Sequence, residues 1–125
     1  MEIEIKRIYD VYSADDGMRV LVDRLWPRGI KKSETIIDSW QKDLAPSTGL
    51  RKWFDHDPGK WNDFKNKYLT ELEDKKEKIN LLLRSCTVSK ITFLYAAKSR
   101  DYNQAVVLKE YIEKNIQEKK YRRVK

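Results

Sequence analysis

Two apolar runs limit what this chain can fold into more than any other feature. Val20-Leu21-Val22 and Ile91-Thr92-Phe93-Leu94-Tyr95-Ala96-Ala97 place apolar side chains at successive positions, so as strands they are apolar on both faces. That pattern belongs to strands covered by a layer on each side, as in parallel sheets. Each run also ends in charge. The first passes into Asp23-Arg24-Leu25-Trp26-Pro27-Arg28-Gly29 and the second into Lys98-Ser99-Arg100-Asp101. Open α/β sheets present ligands beyond the carboxyl ends of their strands, so these two run ends mark the expected functional edge.

The rest of the chain supplies partners for the two runs. Ile3, Ile5 and Ile8 alternate loosely with Glu4, Lys6 and Arg7, which predicts a first strand. Asp15-Asp16-Gly17 reads as a turn, and its Asp-Gly step predicts that residues 3–9 and 18–25 are antiparallel neighbours. Pro27 keeps Trp26 extended, and Gly29 permits a sharp change of direction. Residues 30–46 fit a short helix through Ile36, Ile37, Trp40 and Leu44, yet residues 35–44 equally fit an edge strand; a short helix leading into an extended piece is the favoured expectation. Ser47 or Thr48 then caps a short helix holding Leu50, Trp53 and Phe54. Asp57-Pro58 opens the longest helix. Its stripe runs through Trp61, Phe64, Tyr68, Leu72, Ile79, Leu82 and Leu83, with a kink or exposed turn expected in the charged segment 74–78. A last helix aligns Ala105, Leu108, Ile112 and Ile116, with Asp101 as its candidate cap. Together these elements predict an α/β fold: one compact domain over residues 1–125, a small mostly parallel sheet with helices packed on it.

Composition narrows the partners. Apolar residues make up 40% of the chain and aromatic residues 11%, too much bulky side chain for a disordered segment. No apolar segment approaches the roughly 20 residues that cross a bilayer. The start, Met1 to Lys6, lacks the apolar centre of a signal peptide, so a cytoplasmic location and no membrane partner are expected. A lone Cys86 provides neither an internal disulfide nor a thiolate metal cage. The net charge of +7 and pI near 9.4 favour anionic partners: phosphorylated metabolites, nucleic acid or acidic lipid. Much of the excess lies in the basic tail of about residues 117–125, a candidate nucleic-acid contact.

Two constellations carry possible chemistry. In the first, Arg24, Arg28 and Lys98 would hold a small phosphate- or carboxylate-bearing ligand, since a guanidinium grips such groups in a two-pronged fashion. Asp23 would orient these cations or act as a base, Trp26 and Tyr95 would wall the pocket, and Asn103 would donate to the ligand. The competing reading is structural: Asp23 pairs with Arg24, Arg28 or Lys98 to close the sheet end, with Trp26 in the core. In the second, His56 is the only histidine, so imidazole acid–base catalysis near neutral pH must use it, with Asp55 or Asp57 orienting the ring. Against this, Asp57 is needed as a cap, and Trp53, Phe54 and Trp61 fall at core spacings. No Gly-rich dinucleotide fingerprint, phosphate loop, histidine pair or cysteine pair occurs, so no cofactor and no metal are expected.

With these residues in view, the chain resembles the YeaO-like proteins, a branch of the bacterial family called domain of unknown function 488. The carriers are Arg19 to Gly29 (RVLVDRLWPRG), Trp40 to Ser47 (WQKDLAPS), Leu50 to Pro58 (LRKWFDHDP) and Thr92 to Tyr111 (TFLYAAKSRDYNQAVVLKEY). The resemblance covers nearly the whole chain apart from the basic tail. It implies a compact α/β domain and brings no established activity. Longer members of the wider family look as though they carry Cys-His-Arg at the start of the last helix, where this chain reads Tyr102-Asn103-Gln104. The leading expectation is therefore a domain binding a small anion at the sheet edge, with catalysis through Asp23 or His56 as its enzymatic variant. The alternative is a nucleic-acid-binding or protein-interaction module using the basic surface and exposed indoles.

Overall fold

A computed structural model of the chain describes residues 1–117; residues 118–125, which make up nearly all of the basic tail, lie outside the described residues. Four strands, β1 (Glu2–Arg7), β2 (Met18–Leu21), β3 (Ser39–Trp40) and β4 (Lys90–Tyr95), form one sheet in the order β1-β4-β2-β3. Every pairing is parallel. The helices are α1 (Thr48–Phe54), α2 (Trp61–Glu73), α3 (Lys76–Ser85) and α4 (Gln104–Ile112), the last continued by a π-helical turn over Glu113–Gln117.

The two apolar runs of the sequence are the two inner strands, β2 and β4. Their alternation separates two layers. Val20, Val22, Ile91, Phe93 and Tyr95 share one buried cluster with residues from all four helices. Leu21 and Leu94 face the other way, with Ile8, and are covered by Trp26, Ile30, Ile37 and Trp40 from the loop and edge strand that follow β2. One face is thus roofed by helices and the other by a loop, which is why both runs are buried at successive positions, with Thr92 the one polar side chain, its hydroxyl donating to the Asp16 carbonyl. Each fully buried Phe or Leu side chain contributes about 1.5–3 kcal/mol.

The expected antiparallel hairpin between β1 and β2 is corrected. Both strands pair with β4, Ile3 opposite Ile91 and Val20 opposite Phe93, so the connection crosses over a strand that comes much later in the chain. Asp15 and Asp16 belong to a 3-10 turn capped by Ser13, and Gly17 (φ +67°) does not reverse the chain but lets it pass close to β4. A Cβ at Gly17 would lie 2.2 Å from the Lys90 carbonyl oxygen. Gly17→Ala is therefore expected to lower stability by about 1–3 kcal/mol, read as a fall in thermal midpoint; an unchanged midpoint would show that the backbone shifts freely there.

The short helix favoured within residues 30–46 is also corrected, in favour of the edge strand that residues 35–44 equally fitted. A 3-10 turn over Lys32–Glu34 leads into the two-residue strand β3 and a second 3-10 turn over Lys42–Leu44. Arg19 holds this segment in strand geometry: its backbone N–H donates to Asp38 Oδ2 (2.8 Å), its Nε donates to the Ile36 carbonyl (2.7 Å), and its own carbonyl accepts from Asp38 N (2.8 Å).

Ser47 caps α1 by accepting from Leu50 N. Glu71 on α2 ties the same serine down, accepting from its backbone N–H (2.8 Å) and its hydroxyl (2.6 Å). Asp57 caps a 3-10 turn over Pro58–Lys60 rather than the helix itself, which starts at Trp61. The long stripe is broken into α2 and α3 at Asp74–Lys75, within the segment expected to kink. The cap of α4 is Asn103, not Asp101.

Candidate functional site

In an all-parallel sheet every strand ends at the same edge, and β4 lies between β1 and β2. The chain leaves β2 toward β3 on one side, whereas α4, which follows β4, packs over β4 and β1 on the other. Such opposite departures make the gap between the ends of β2 and β4 the position where doubly wound sheets hold ligands. Asp23 spans it. One ladder step past β2, Val22 N donates to the Leu94 carbonyl (3.0 Å). Asp23 Oδ2 then accepts from Ala96 N (2.9 Å), and Oδ1 accepts from Gln104 Nε2 in the first turn of α4. Among the described residues no lysine or arginine pairs with this carboxylate. Burial outweighs its two hydrogen bonds and pushes the carboxyl up to about 6.

The surrounding cations divide into committed and free groups. Arg24 turns away from Asp23 and donates to the carbonyls of Pro46 (2.9 Å) and Ala45 (3.2 Å), fixing the segment that leads into α1. Arg7, at the end of β1, donates to the carbonyls of Ala97 (2.9 Å) and Ala96 (3.3 Å) and lies over the Tyr9 ring. Tyr9 in turn donates its hydroxyl to the Arg28 carbonyl (2.8 Å). Arg100 forks onto both oxygens of Asp10 at 2.9 Å, and that pairing holds the Asp10 carboxyl below the usual range. Arg28 and Lys98 remain: both side chains are exposed, and neither forms an ion pair or a hydrogen bond among the described residues.

The other sequence-predicted residues take varied places. Trp26 is half-buried in the loop-covered face, its Nε1 donating to the Ile30 carbonyl (2.6 Å). Tyr95 is buried in the helix-covered core, and burial raises its hydroxyl above the usual range. The Asn103 side chain is committed to the loop: Oδ1 accepts from Val106 N, and Nδ2 donates to the carbonyls of Ser99 and Arg100. His56 is exposed just past α1 with a positive φ of 56°, its ring 6.4 Å from that of Phe54. It makes no hydrogen bond to Asp55 or Asp57, and Asp57 accepts from Gly59 N instead. Of the four indoles Trp53 is 39% exposed, with Lys60 and Lys67 over its ring, while Trp26, Trp40 and Trp61 are half-buried.

Sequence reasoning missed Arg7, Asp10 and Gln104. Arg7 and Asp10 flank the end of β1, so a charge cluster at a strand end was the available signal. Gln104 gave none beyond its place after the cap.

A parallel sheet with helices on one face and a charge-rich carboxyl edge defines a small α/β domain of the kind that presents ligand sites at strand ends. The chain belongs to the family described as "Inactive DUF488-N3 subclade", which matches residues 2–124. It is 41% identical over 112 residues to the uncharacterised protein YeaO of Escherichia coli (strain K12), covering 90% of this chain and 97% of that protein. Uncharacterised proteins of Mycobacterium bovis and Mycobacterium tuberculosis are each 44% identical over 72 residues, 58% of this chain and 61% of theirs. No solved structure matches the chain. Among the described residues no helix is long and apolar enough to cross a membrane.

Proposed function

We propose that the protein is a non-catalytic binding domain that takes a small phosphate- or carboxylate-bearing molecule at the carboxyl edge of its sheet. The carrying observation is the chain of contacts that ties together the segments bearing two unpaired cations. Asp23 joins the β2 loop to Ala96, Arg7 grips Ala96 and Ala97, and Tyr9 bridges from beneath Arg7 to the Arg28 carbonyl. Lys98 follows Ala97 directly, and among the described residues neither Lys98 nor Arg28 has a carboxylate to neutralise it. Arg24 and Asn103 support the loops rather than the ligand in this reading, and Asp23 spans the gap. The subclade's description as inactive favours binding over turnover, as does Tyr102-Asn103-Gln104 at the start of α4, which offers no nucleophile beyond a phenol.

The test is metabolite analysis of the purified protein beside an Arg28→Ala, Lys98→Ala variant, followed by calorimetric titration with the anion recovered. Loss of two charged contacts should weaken binding by about 100-fold. An anion held equally by both proteins would overturn the assignment.

A further inference from the structure

A second feature lies on the opposite face from the helices, between the loop after β2 and the edge strand β3. Trp26, Lys32, Thr35, Ile37, Asp38 and Trp40 line a notch of about 280 Å³. Its two indoles meet edge to face, centroids 5.3 Å apart and planes at 69°. Each ring is fixed by its own N–H, Trp26 Nε1 donating to the Ile30 carbonyl (2.6 Å) and Trp40 Nε1 to the Asp23 carbonyl (2.7 Å), so the aromatic walls are preorganised. Lys32 Nζ lies 5.2 Å and 5.7 Å from the two ring centroids, and Lys42 Nζ lies 4.4 Å from that of Trp40.

These lysines have aromatic neighbours and no ion-pair partner, although the Asp38 carboxylate lines the same notch. Among the described residues neither makes an ion pair or a hydrogen bond through its side chain. The acidic groups nearby are engaged elsewhere: Glu34 with Lys31, Asp43 with Lys78, and one oxygen of Asp38 with Arg19 N. An aromatic wall edged by two lysines against one carboxylate, Asp38, is complementary to a ligand that joins a π ring to an anion. Base–aromatic stacking supplies about 1–3 kcal/mol per base, and the ammonium groups supply the charge. The notch is slightly smaller than the roughly 300–1,000 Å³ of sites for drug-sized ligands, which suits one base with its sugar. A single-strand binder needs successive stacking platforms, whereas this notch holds one.

We propose that the Trp26–Trp40 notch binds a free nucleoside phosphate, the base against an indole and the phosphate on Lys32 and Lys42. The site is independent of the sheet-edge reading: Lys32 lines it and Lys42 borders it over the Trp40 ring, whereas neither Arg28 nor Lys98 lines it or contacts its indoles. Tryptophan fluorescence of the full chain, titrated with each of the four common nucleoside monophosphates at low salt, should show saturable quenching with at least one. A Lys32→Ala, Lys42→Ala variant, whose substitutions fall on exposed side chains, should keep its thermal midpoint and bind at least about tenfold more weakly. The Arg28→Ala, Lys98→Ala variant should bind the nucleotide as the parent does. The proposal is overturned if no nucleotide quenches saturably, or if inorganic phosphate competes as well as the nucleotide. It also fails if a short oligonucleotide displaces the nucleotide with much higher affinity, which would make a strand the ligand. Loss of binding in the sheet-edge variant but not in the lysine variant would likewise reject the notch while leaving the edge site standing.

Discussion

Replacing Asp16 by alanine is expected to destabilise the fold by about 3–5 kcal/mol, because it leaves a buried guanidinium without its carboxylate. Asp16 is 4% exposed and Arg19 2%. The Asp16 carboxylate accepts from Lys6 Nζ through both oxygens at 3.1 Å, from Ser13 N at 3.1 Å and from Arg19 Nη1. Its backbone carbonyl accepts from the Thr92 hydroxyl (2.6 Å). This one residue therefore joins β1, β2 and β4, and through Arg19 the segment entering β3. Burial raises its carboxyl, but Ser13, Lys6 and Arg19 outweigh burial and hold it below the usual value of 3.8. The sign follows: its contribution is full above the unfolded pKa and is lost as pH falls through the lower folded one. Urea unfolding at pH 7 is the measurement, and a loss under about 1 kcal/mol, the range of exposed pairs, would show that water solvates Arg19 in the folded state.

Asp23→Asn is expected to act in the opposite direction, stabilising the protein by about 2 kcal/mol at pH 7.5. The carboxyl is raised from 3.8 to about 6 in the folded state, so between these values the folded protein binds the extra proton. Its stability therefore falls as pH rises through that window, and above pH 6 the full cost of a buried, uncompensated charge is present. A shift of this size corresponds to about 3 kcal/mol, reduced because an asparagine donates where the carboxylate accepted. Unfolding midpoints of the two proteins should converge near pH 4 and diverge toward neutrality. Parallel midpoints across that range would mean that Asp23 is ionised throughout.

How far the sequence reveals all this depends on the range of the interaction concerned. Val20 to Val22 and Ile91 to Tyr95 declare themselves as inner strands because burial on both faces leaves Thr92 as the one polar position. Ser47 and Asp57 are legible as caps because capping is local chemistry. The pairing of β1 with β4 is not legible, since Asp15-Asp16-Gly17 has the composition of a hairpin turn and only the later strand decides otherwise. Residues 35–40 fit a helix by spacing, and the long-range grip of Arg19 on Ile36 and Asp38 makes them a strand edge instead. At the site, Lys98 and Arg28 are exposed and unpaired among the described residues, while Arg24 and Asn103 look like ligand-binding residues in sequence and serve backbone carbonyls and a helix cap in space. The partner of Asp23 is an amide, Gln104, and not one of the cations beside it in sequence.

The strand order has a consequence for how the chain is made. β1 and β2 do not pair with each other; both wait for β4, which begins at Lys90 of 125 residues. A ribosome adding about 5–20 residues per second releases three strands and three helices before the piece that unites them exists. During that interval the helices lack β4, the strand that joins β1 to the β2–β3 pair. Pairings separated by some seventy to ninety positions raise contact order, which slows folding, so assembly of the sheet is a late, nearly all-or-none event that the last third of the molecule commands.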